Sequence, residues 1–224
     1  MALQLAPEEP EAGPWRAELL STLVETITRR KPGHAPPRRP VVLAVDGRSN
    51  AGKTTLAARI CRAVPGSAVV HTDDIAWQHS RFGWADLLTG GILEPVHQGR
   101  AVSYRPPRWA EYGREGSIEV PADCPLLIIE GDGAGRQEVT GLIDVLIWVQ
   151  SDEHEAERRV LARIGKPGEA PTLRHHHEWM AEERPFNLVQ RTWERAGVIV
   201  CGTPQIPCDP ATEIVLAPPV TKAG

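Results

Sequence analysis

The strongest constraint on the fold lies in residues 41–56, VVLAVDGRSNAGKTTL, where a short apolar run leads into a glycine-bounded loop. This loop, residues 47–54, matches the pattern G-x-x-x-x-G-K-S/T at every fixed position. The preceding run, residues 41–45, predicts a buried strand, and residues 55–62 favour a helix. In this context the motif binds nucleotide phosphates, because the loop amides and the helix N-terminus point at an anion. The alternative is a chance glycine turn.

Residues 47–54, called the phosphate loop below, assign chemistry to particular side chains. Lys53 can reach the β- and γ-phosphates of a nucleotide, and the Thr54 hydroxyl can ligate Mg²⁺. The other residues expected to surround the phosphates come from the same run: Gly47, Arg48, Ser49, Asn50, Ala51, Gly52 and Thr55. Mg²⁺ is therefore the expected cofactor beside the nucleotide.

Composition narrows the setting of this site. The 224 residues suit one domain of generous size, or a domain with an inserted lid. A net charge of -4 does not indicate a nucleic-acid or anionic-membrane surface. The N-terminus lacks the pattern of a signal peptide, and no apolar run approaches the roughly 18 residues of a membrane span. The cysteines are widely spaced, which is typical of reduced cytosolic thiols. We expect a cytoplasmic protein without nucleic-acid or membrane partners.

The order of elements indicates an α/β fold. Strands predicted near residues 41, 67, 126, 143 and 197 alternate with helices. This alternation predicts a mostly parallel, five-stranded sheet covered by helices on both faces, with right-handed crossovers.

Acidic residues follow the predicted strands at the edge where open α/β sheets bind ligands. Asp73 and Asp74 come directly after the second strand, although one of them could simply cap the next helix. Glu130 ends the third strand, where an acid would hold Mg²⁺ directly or through water. A solvated strand-end glutamate is the alternative. We expect Gly47, Asp73, Glu130 and Asp152 to share one edge of the sheet.

Residues 75–116, called the aromatic-basic segment below, show little periodicity. A segment this irregular after a nucleotide motif is typical of a substrate-binding excursion. For each residue the alternative is core packing for an aromatic side chain, or solvent exposure for an arginine. With Asp73 and Asp74, the candidate contacts to an acceptor molecule are Trp77, Tyr104, Arg105, Arg108, Trp109 and Arg136.

A charged helix predicted over residues 153–164 carries Arg159 and Arg163 at i, i+4 spacing, so the two share a face. Such a face could close over a nucleotide and neutralise the charge that builds on its phosphates during transfer. The alternative is a surface ladder of these arginines with Glu155 and Glu157.

Together these segments resemble the uridine kinase-like branch of the P-loop kinases, which includes uridine kinase, phosphoribulokinase and bacterial pantothenate kinase. The resemblance covers roughly residues 40–202 and rests on four stretches. They are VDGRSNAGKTTLA, the Thr-Asp pair at 72–73, IIEG at 128–131 and the arginine-bearing helix after WVQSD.

The resemblance implies roles for particular residues. Asp73 would accept the proton from the substrate hydroxyl, Glu130 would be the strand-end acid, and Arg159 and Arg163 would be lid arginines. The chain departs from uridine kinases in its nucleoside-binding positions, where no acid follows Tyr104. The arginines at 105, 108 and 136 instead suggest an anionic acceptor.

The expected function is ATP-dependent transfer of the γ-phosphoryl group of Mg-ATP to a hydroxyl of a small molecule, nucleoside-like or anionic. The alternatives are a nucleoside monophosphate kinase and a regulatory NTP-binding protein that is not a kinase. No N-K-x-D motif supports a GTPase. The expected partner is the acceptor molecule, and a homodimer is left open.

The expected organisation has three parts. Residues 1–40 form an N-terminal arm with a helix over residues 15–30 and a linker, residues 41–210 form the kinase domain, and residues 211–224 form a tail. Within the kinase domain, the aromatic-basic segment binds the acceptor and residues 153–185 form a helical lid.

Overall fold

The computed structural model describes residues 3–30, 39–162 and 173–220. In chain order, the strands of these ranges are β1 (Arg16–Leu19), β2 (Val41–Gly47), β3 (Ala68–His71), β4 (Val102–Tyr104), β5 (Ile118–Val120), β6 (Leu126–Glu130), β7 (Val145–Gln150), β8 (Val198–Cys201) and β9 (Glu213–Ala217). The α-helices are α1 (Leu20–Thr28), α2 (Lys53–Ala63), α3 (Thr72–Ala76), α4 (Ala85–Leu88), α5 (Glu94–His97), α6 (Pro107–Glu111), α7 (Glu153–Leu161) and α8 (Leu173–Gln190).

A seven-stranded sheet forms the centre of the molecule, in the order β1-β9-β8-β7-β2-β6-β3. The five strands from β8 to β3 are parallel, which confirms the predicted mostly parallel α/β fold. Two further strands extend the predicted five to seven: β9 pairs antiparallel with β8, and β1 pairs antiparallel with β9. A separate antiparallel pair, β4 and β5, lies within the aromatic-basic segment.

The extension corrects two expectations at the ends of the chain. The helix predicted over residues 15–30 begins only at Leu20, because residues 16–19 pair with β9 as a strand. Residues 213–217, expected in the tail, supply that partner strand. Backbone pairing across almost 200 residues of sequence overrides local helical spacing here, as tertiary context often does.

Hydrophobic clusters cover both faces of the sheet, and the two largest among the described residues lie on opposite faces. Every residue of β2 is buried, as expected for a central strand of a parallel sheet. Alternate residues of β2 point to opposite faces: Val42 and Ala44 join one core, and Leu43 and Val45 join the other. Helices α1 and α2 cover the second core through Leu23, Val24, Ile27, Leu56, Ala57 and Ile60. The first core receives Trp84, Leu88, Ile92 and Trp109 from the aromatic-basic segment.

The phosphate loop connects β2 to α2 through a backbone that needs glycine at both ends. Gly47 has φ of +151°, and a Cβ atom there would lie 2.6 Å from the carbonyl oxygen of Val149. Gly52 has φ of +106° and directly precedes α2, which begins at Lys53. The loop therefore reaches the first turn of the helix in the conformation that the sequence motif requires.

Within the described ranges, no helix combines the length and the apolar character needed to cross a membrane.

Candidate functional site

A cavity of about 770 Å³ lies along the carboxyl edge of the parallel strands. Ten of the predicted site residues share its wall: Ser49, Asn50, Ala51, Gly52, Lys53, Thr54, Thr55, Asp73, Glu130 and Arg159. Other lining residues come from α8, from the end of β8 and from the segment after it: residues 175, 176, 179, 201, 202, 204 and 208. The fold thus gathers side chains that lie far apart in sequence, at the edge where open α/β sheets bind ligands.

Lys53 is almost completely buried at the base of the phosphate loop. Its ammonium group forms an ion pair with Asp132 and donates a hydrogen bond to the carbonyl oxygen of Arg48 at 2.8 Å. Burial acts to lower the pKa of Lys53, but Asp132 together with Glu183 and Asp46 outweighs it, and the pKa is raised. Lys53 is therefore held charged, with Asp132 as its principal counter-ion.

Thr54 and Glu130 face each other across the start of α2. The Thr54 hydroxyl lies 3.2 and 3.3 Å from the two carboxylate oxygens of Glu130, to which it donates. His71, at the end of β3, also shares a hydrogen bond with Glu130, and this bond raises the pKa of the imidazole. The hydroxyl and the carboxylate are oxygen donors of the kind that Mg²⁺ prefers.

The donor set at Thr54 and Glu130 fits Mg²⁺ held jointly by protein and phosphate. Across the described ranges, no group of three or more His, Cys, Asp or Glu side chains is arranged to hold a metal ion. Mg²⁺ commonly uses one or two carboxylates together with substrate phosphates, rather than a complete protein cage. The assignment of both residues as ligands stays a prediction.

Asp73 occupies the first turn of α3, directly after β3. Its side chain is exposed to the cavity, yet the surrounding protein desolvates the carboxyl and raises its pKa. The negative charge of Asp132 raises the pKa further, against the opposing effect of Lys53. A carboxyl with a raised pKa at a cavity wall is suited to accepting a proton.

Asp74, Arg105 and Arg108 each form contacts within residues 74–114. Asp74 forms an ion pair with Arg114 at 2.5 Å. Arg108 pairs with Glu111 at 2.7 Å, three residues later in α6. Arg105 donates to the carbonyl oxygen of Arg114 at 2.7 Å. The predicted contacts Asp74, Arg105 and Arg108 are absent from the cavity lining, and each contacts another residue of the protein instead.

The aromatic candidates of this segment pack against protein instead of lining the cavity. Trp109 is buried, and its indole N–H donates to the carbonyl oxygen of Asp74 at 2.8 Å. The Tyr104 ring packs so closely on Gly91 that a Cβ atom there would approach it to 2.6 Å. Trp77 meets Tyr112 edge to face at 6.2 Å between ring centroids. Core packing, the alternative reading of these residues, describes them better.

Arg136 is buried to 5% exposure, away from the cavity lining. Its guanidinium lies over the rings of Trp84 and Phe186, at 4.9 and 5.2 Å from their centroids, and pairs with Glu138. These contacts join the turn after β6 to α8. The structure therefore gives the side chain packing contacts outside the cavity lining, and its role as an acceptor contact stays a prediction.

Arg159 connects α7 to both sides of the cavity. Its guanidinium donates to the carbonyl oxygen of Gly202 at 3.0 Å and to that of Asn50 at 3.3 Å. It also pairs with Glu155 at 3.1 Å, so the predicted surface ladder is partly present. The second predicted lid arginine, Arg163, lies outside the described residues.

Besides Asp132, two buried acids of the site, Asp46 and Glu183, were not among the residues predicted from the sequence. Asp46 accepts hydrogen bonds from the backbone N–H groups of Gly47, Gly133 and Gly135 at 2.7 to 2.9 Å. Complete burial raises the pKa of Asp46 to about 6, despite these hydrogen bonds and the nearby charge of Lys53. The carboxylate ties the start of the phosphate loop to the turn after β6. An aspartate at the end of an apolar strand was the available signal.

The second such acid is Glu183 of α8, which is fully buried against the phosphate loop. One of its oxygens accepts the backbone N–H of Ser49 at 2.5 Å. Its neighbour Trp179 donates to Asp132 at 3.0 Å from the same helix. In the sequence, Glu183 is indistinguishable from the adjacent, exposed Glu182.

The described architecture is a mostly parallel α/β sheet flanked by helices, with the phosphate loop between β2 and α2. Its fold matches a structure from Silicibacter sp. TM1040 whose proposed role is that of a fructose transport system kinase. That match has a TM-score of 0.52 and 19% identity over 80% of this chain and 95% of the other. At this identity the likeness shows the fold alone.

Two further structures align at lower TM-scores. A D-glycerate 3-kinase from Cryptococcus neoformans var. grubii aligns at 0.48, with 12% identity over 81% of this chain and 93% of the other. A proposed uridine kinase from Bacillus stearothermophilus aligns at 0.43, with 18% identity over 80% and 95%. No protein-family model matches the chain, and no curated protein sequence is significantly similar to it.

Proposed function

We propose that the chain is an ATP-dependent phosphotransferase that moves the γ-phosphoryl group of Mg-ATP to a hydroxyl of a small molecule. One observation carries the proposal: an intact phosphate loop and the carboxyl of Asp73 open into the same cavity. A loop that binds a donor nucleotide needs no such carboxyl for binding alone. A phosphotransferase needs one to receive the proton of the attacking hydroxyl.

The donor end is built from positive and dipolar groups. Lys53 and the loop amides would bind the β- and γ-phosphates, and Arg159 would offset charge on the transferred group. Thr54 and Glu130 would hold Mg²⁺, which neutralises phosphate charge when bound. Phosphoryl transfer depends mainly on positioning and charge stabilisation, so these residues supply the principal requirements.

The acceptor end centres on Asp73. As the acceptor oxygen bonds to the γ-phosphorus, the bond from that phosphorus to the bridging oxygen breaks, ADP leaves, and the hydroxyl proton passes to the Asp73 carboxylate. The raised pKa of Asp73 strengthens it as a base. The arginines that suggested an anionic acceptor are paired elsewhere. This favours a neutral hydroxyl compound over an anionic one.

We also propose a cytoplasmic location, consistent with the four free cysteines among the described residues. The proposed partner is the acceptor molecule, without nucleic acid.

The substitution Asp73→Asn tests the proposal. We expect turnover to fall by roughly 10²-fold or more while ATP affinity stays nearly unchanged, because the amide cannot accept the proton. ADP release is measured with panels of nucleosides, nucleotides, sugars and hydroxy acids. ADP release that requires a nucleoside monophosphate as the acceptor would indicate a nucleoside monophosphate kinase. ATP hydrolysis without any acceptor would indicate a regulatory NTPase.

The neighbouring substitution Asp74→Asn is the matched control. It removes the same charge from the same helix, but Asp74 pairs with Arg114 and lies outside the cavity lining. We expect turnover close to that of the wild type. Full activity of Asp73→Asn would show that Asp73 is not the base.

A further inference from the structure

Glu183 places a carboxylate directly on the phosphate loop. Glu183 is 0% exposed, and its Oε1 accepts a hydrogen bond from the Ser49 backbone N–H at 2.5 Å. The other oxygen, Oε2, is also buried and has no hydrogen-bond partner among the described residues. A buried carboxylate with an unpaired oxygen is costly, since one hydrogen bond does not replace the hydration that both oxygens lose.

Contacts on both sides of Glu183 hold α8 against the loop. On one side, the Trp179 indole N–H donates to Asp132 at 3.0 Å. On the other, Arg184 pairs at 2.5 Å with Glu153, which also pairs with Arg48 of the loop at 2.9 Å. The helix is therefore anchored one turn before Glu183 and immediately after it. These anchors fix the position of the carboxyl group at the Ser49 amide.

Glu183 contacts the backbone N–H of Ser49, which belongs to the phosphate loop. The backbone N–H groups of a phosphate loop point inward to bind phosphate oxygens. The N–H of Ser49 has one hydrogen atom, so a strong bond to a carboxylate and one to a phosphate oxygen exclude each other. Two anions sharing this small space would also repel each other.

We propose that Glu183 is an internal competitor for the phosphate loop: its carboxylate accepts the Ser49 N–H, and it must be displaced, or protonated from solvent, before a phosphate oxygen of the donor nucleotide can bind there. The inference rests on the proposed function, because it takes the loop to be a nucleotide-phosphate site. It makes α8 part of the donor site, although Glu183 itself does not line the cavity.

The charges that face Glu183 decide when the competition is strong. Lys53 and Arg48 favour its ionised form, whereas Asp132 disfavours it. Burial outweighs the cations and raises the pKa of Glu183 to about 8. The carboxyl is thus mostly neutral at pH 7 and mostly ionised at pH 9, so it should compete with phosphate mainly at the higher pH.

Calorimetric titration with ATP and with AMP at pH 7 and pH 9 tests the inference. If only the neutral form admits the phosphates, the wild type at pH 9 retains roughly one competent molecule in ten, and ATP affinity falls about tenfold from its value at pH 7. Glu183→Gln keeps the shape without the charge, so its ATP affinity should fall much less. AMP, which lacks the terminal phosphates, should show no such difference between the two proteins.

Glu182→Gln is the matched control. Glu182 is the adjacent acid on α8, is exposed and pairs with Arg81, so the control should follow the wild type at both pH values. Glu183→Ala, which removes the accepting oxygen altogether, should bind ATP at pH 9 at least as tightly as the glutamine variant. Thermal unfolding of each variant identifies loss of affinity that is caused by unfolding.

The outcomes separate the inference from the proposed function. Equal falls in ATP affinity for the wild type and Glu183→Gln overturn the competition while leaving a nucleotide site in place. Weaker ATP binding by a folded Glu183→Gln also overturns it, because the carboxylate would then assist the phosphates. Absence of ATP binding by every folded protein removes the proposed function itself.

Discussion

The phosphate loop and the aromatic-basic segment are both rich in polar side chains, but they use them in different ways. Around the loop, side chains converge on a cavity, and several ionisable groups are almost completely buried: Asp46, Arg48, Lys53, Glu130, Asp132 and Glu183. In residues 75–116, Arg105, Arg108 and Arg114 contact nearby carboxylates and carbonyl groups, and tryptophans of the segment pack in the core.

This difference shows which charges can act on a ligand. An arginine that already pairs with a neighbouring carboxylate, as Arg108 does with Glu111, has little unbalanced charge to offer. In a buried pair one charge acts strongly on the other, and the Asp132 carboxylate helps to raise the pKa of Lys53. Functional potential therefore follows convergence and burial more closely than the number of charged residues.

The largest effect that we expect comes from Lys53→Met at the loop. Loss of the ammonium group removes the proposed contact to the donor phosphates and leaves Asp132 without its counter-ion. Acceptor-dependent ADP release should fall about 10³-fold. Steady-state kinetics, with ATP affinity measured separately, checks this. Arg62→Met, on the exposed side of the same helix, should remain close to wild type. A loss below tenfold for Lys53→Met would break the contrast between the two regions.

The next effect concerns the pH dependence of stability at Asp46. Burial raises the pKa of Asp46 from 3.8 to about 6, so the folded state holds this proton more tightly than the unfolded chain. The resulting stabilisation is complete below pH 3.8 and is lost as the pH rises through 6. It amounts to at most about 3 kcal/mol. Urea unfolding between pH 4 and pH 7 measures it by comparison with Asp46→Asn.

The asparagine variant cannot ionise, so this part of the pH dependence should be absent from its free energy of unfolding. Its amide N–H₂ would also face backbone donors, which lowers stability by roughly 1–3 kcal/mol at acidic pH. Parallel pH profiles for the two proteins would show that the carboxyl titrates alike in the folded and unfolded chains, contrary to the expected effect of burial.

The sequence predicted those parts of the fold that are determined by residues close together in the chain. The phosphate loop, its strand and its helix lie within one short run, so the motif predicts them together. The five parallel strands are also local patterns, and the fold joins them as predicted. The pairing of β1 with β9 depends instead on segments at opposite ends of the chain. Local spacing made the first of them resemble the start of a helix.

The site was predictable only in part, for a physical reason. Lys53, Thr54, Asp73 and Glu130 occupy motif positions or strand ends, and the parallel sheet brings such positions together. The burial of Glu183 depends on how a distant helix packs on the loop, which no local pattern encodes. The contact of Arg105 with the carbonyl oxygen of Arg114 likewise depends on how the segment folds, whereas Arg108 pairs within its own helix with Glu111, three residues later. Their proposed roles as acceptor contacts are what the remaining predictions test.

Arg136→Met distinguishes packing from substrate binding. The buried guanidinium stacks on Trp84 and Phe186 and pairs with Glu138, so its loss should lower the free energy of unfolding by about 2 kcal/mol. The KM for the acceptor should not change. Denaturant unfolding and steady-state kinetics provide the two readouts. A raised KM with unchanged stability would instead make Arg136 the acceptor contact that the sequence suggested.

The smallest effects should separate Arg114 from Arg108 within the aromatic-basic segment. Arg114 lies 3.7 Å from the Trp109 ring centroid and pairs with Asp74, so Arg114→Met should lower the free energy of unfolding by about 1 kcal/mol. Arg108 forms an exposed pair, so Arg108→Met should cost at most about 0.5 kcal/mol. Neither change should alter the acceptor KM. If Arg108→Met raised that KM severalfold without affecting stability, charge in this segment would act on the ligand after all, and the contrast with the phosphate loop would fail.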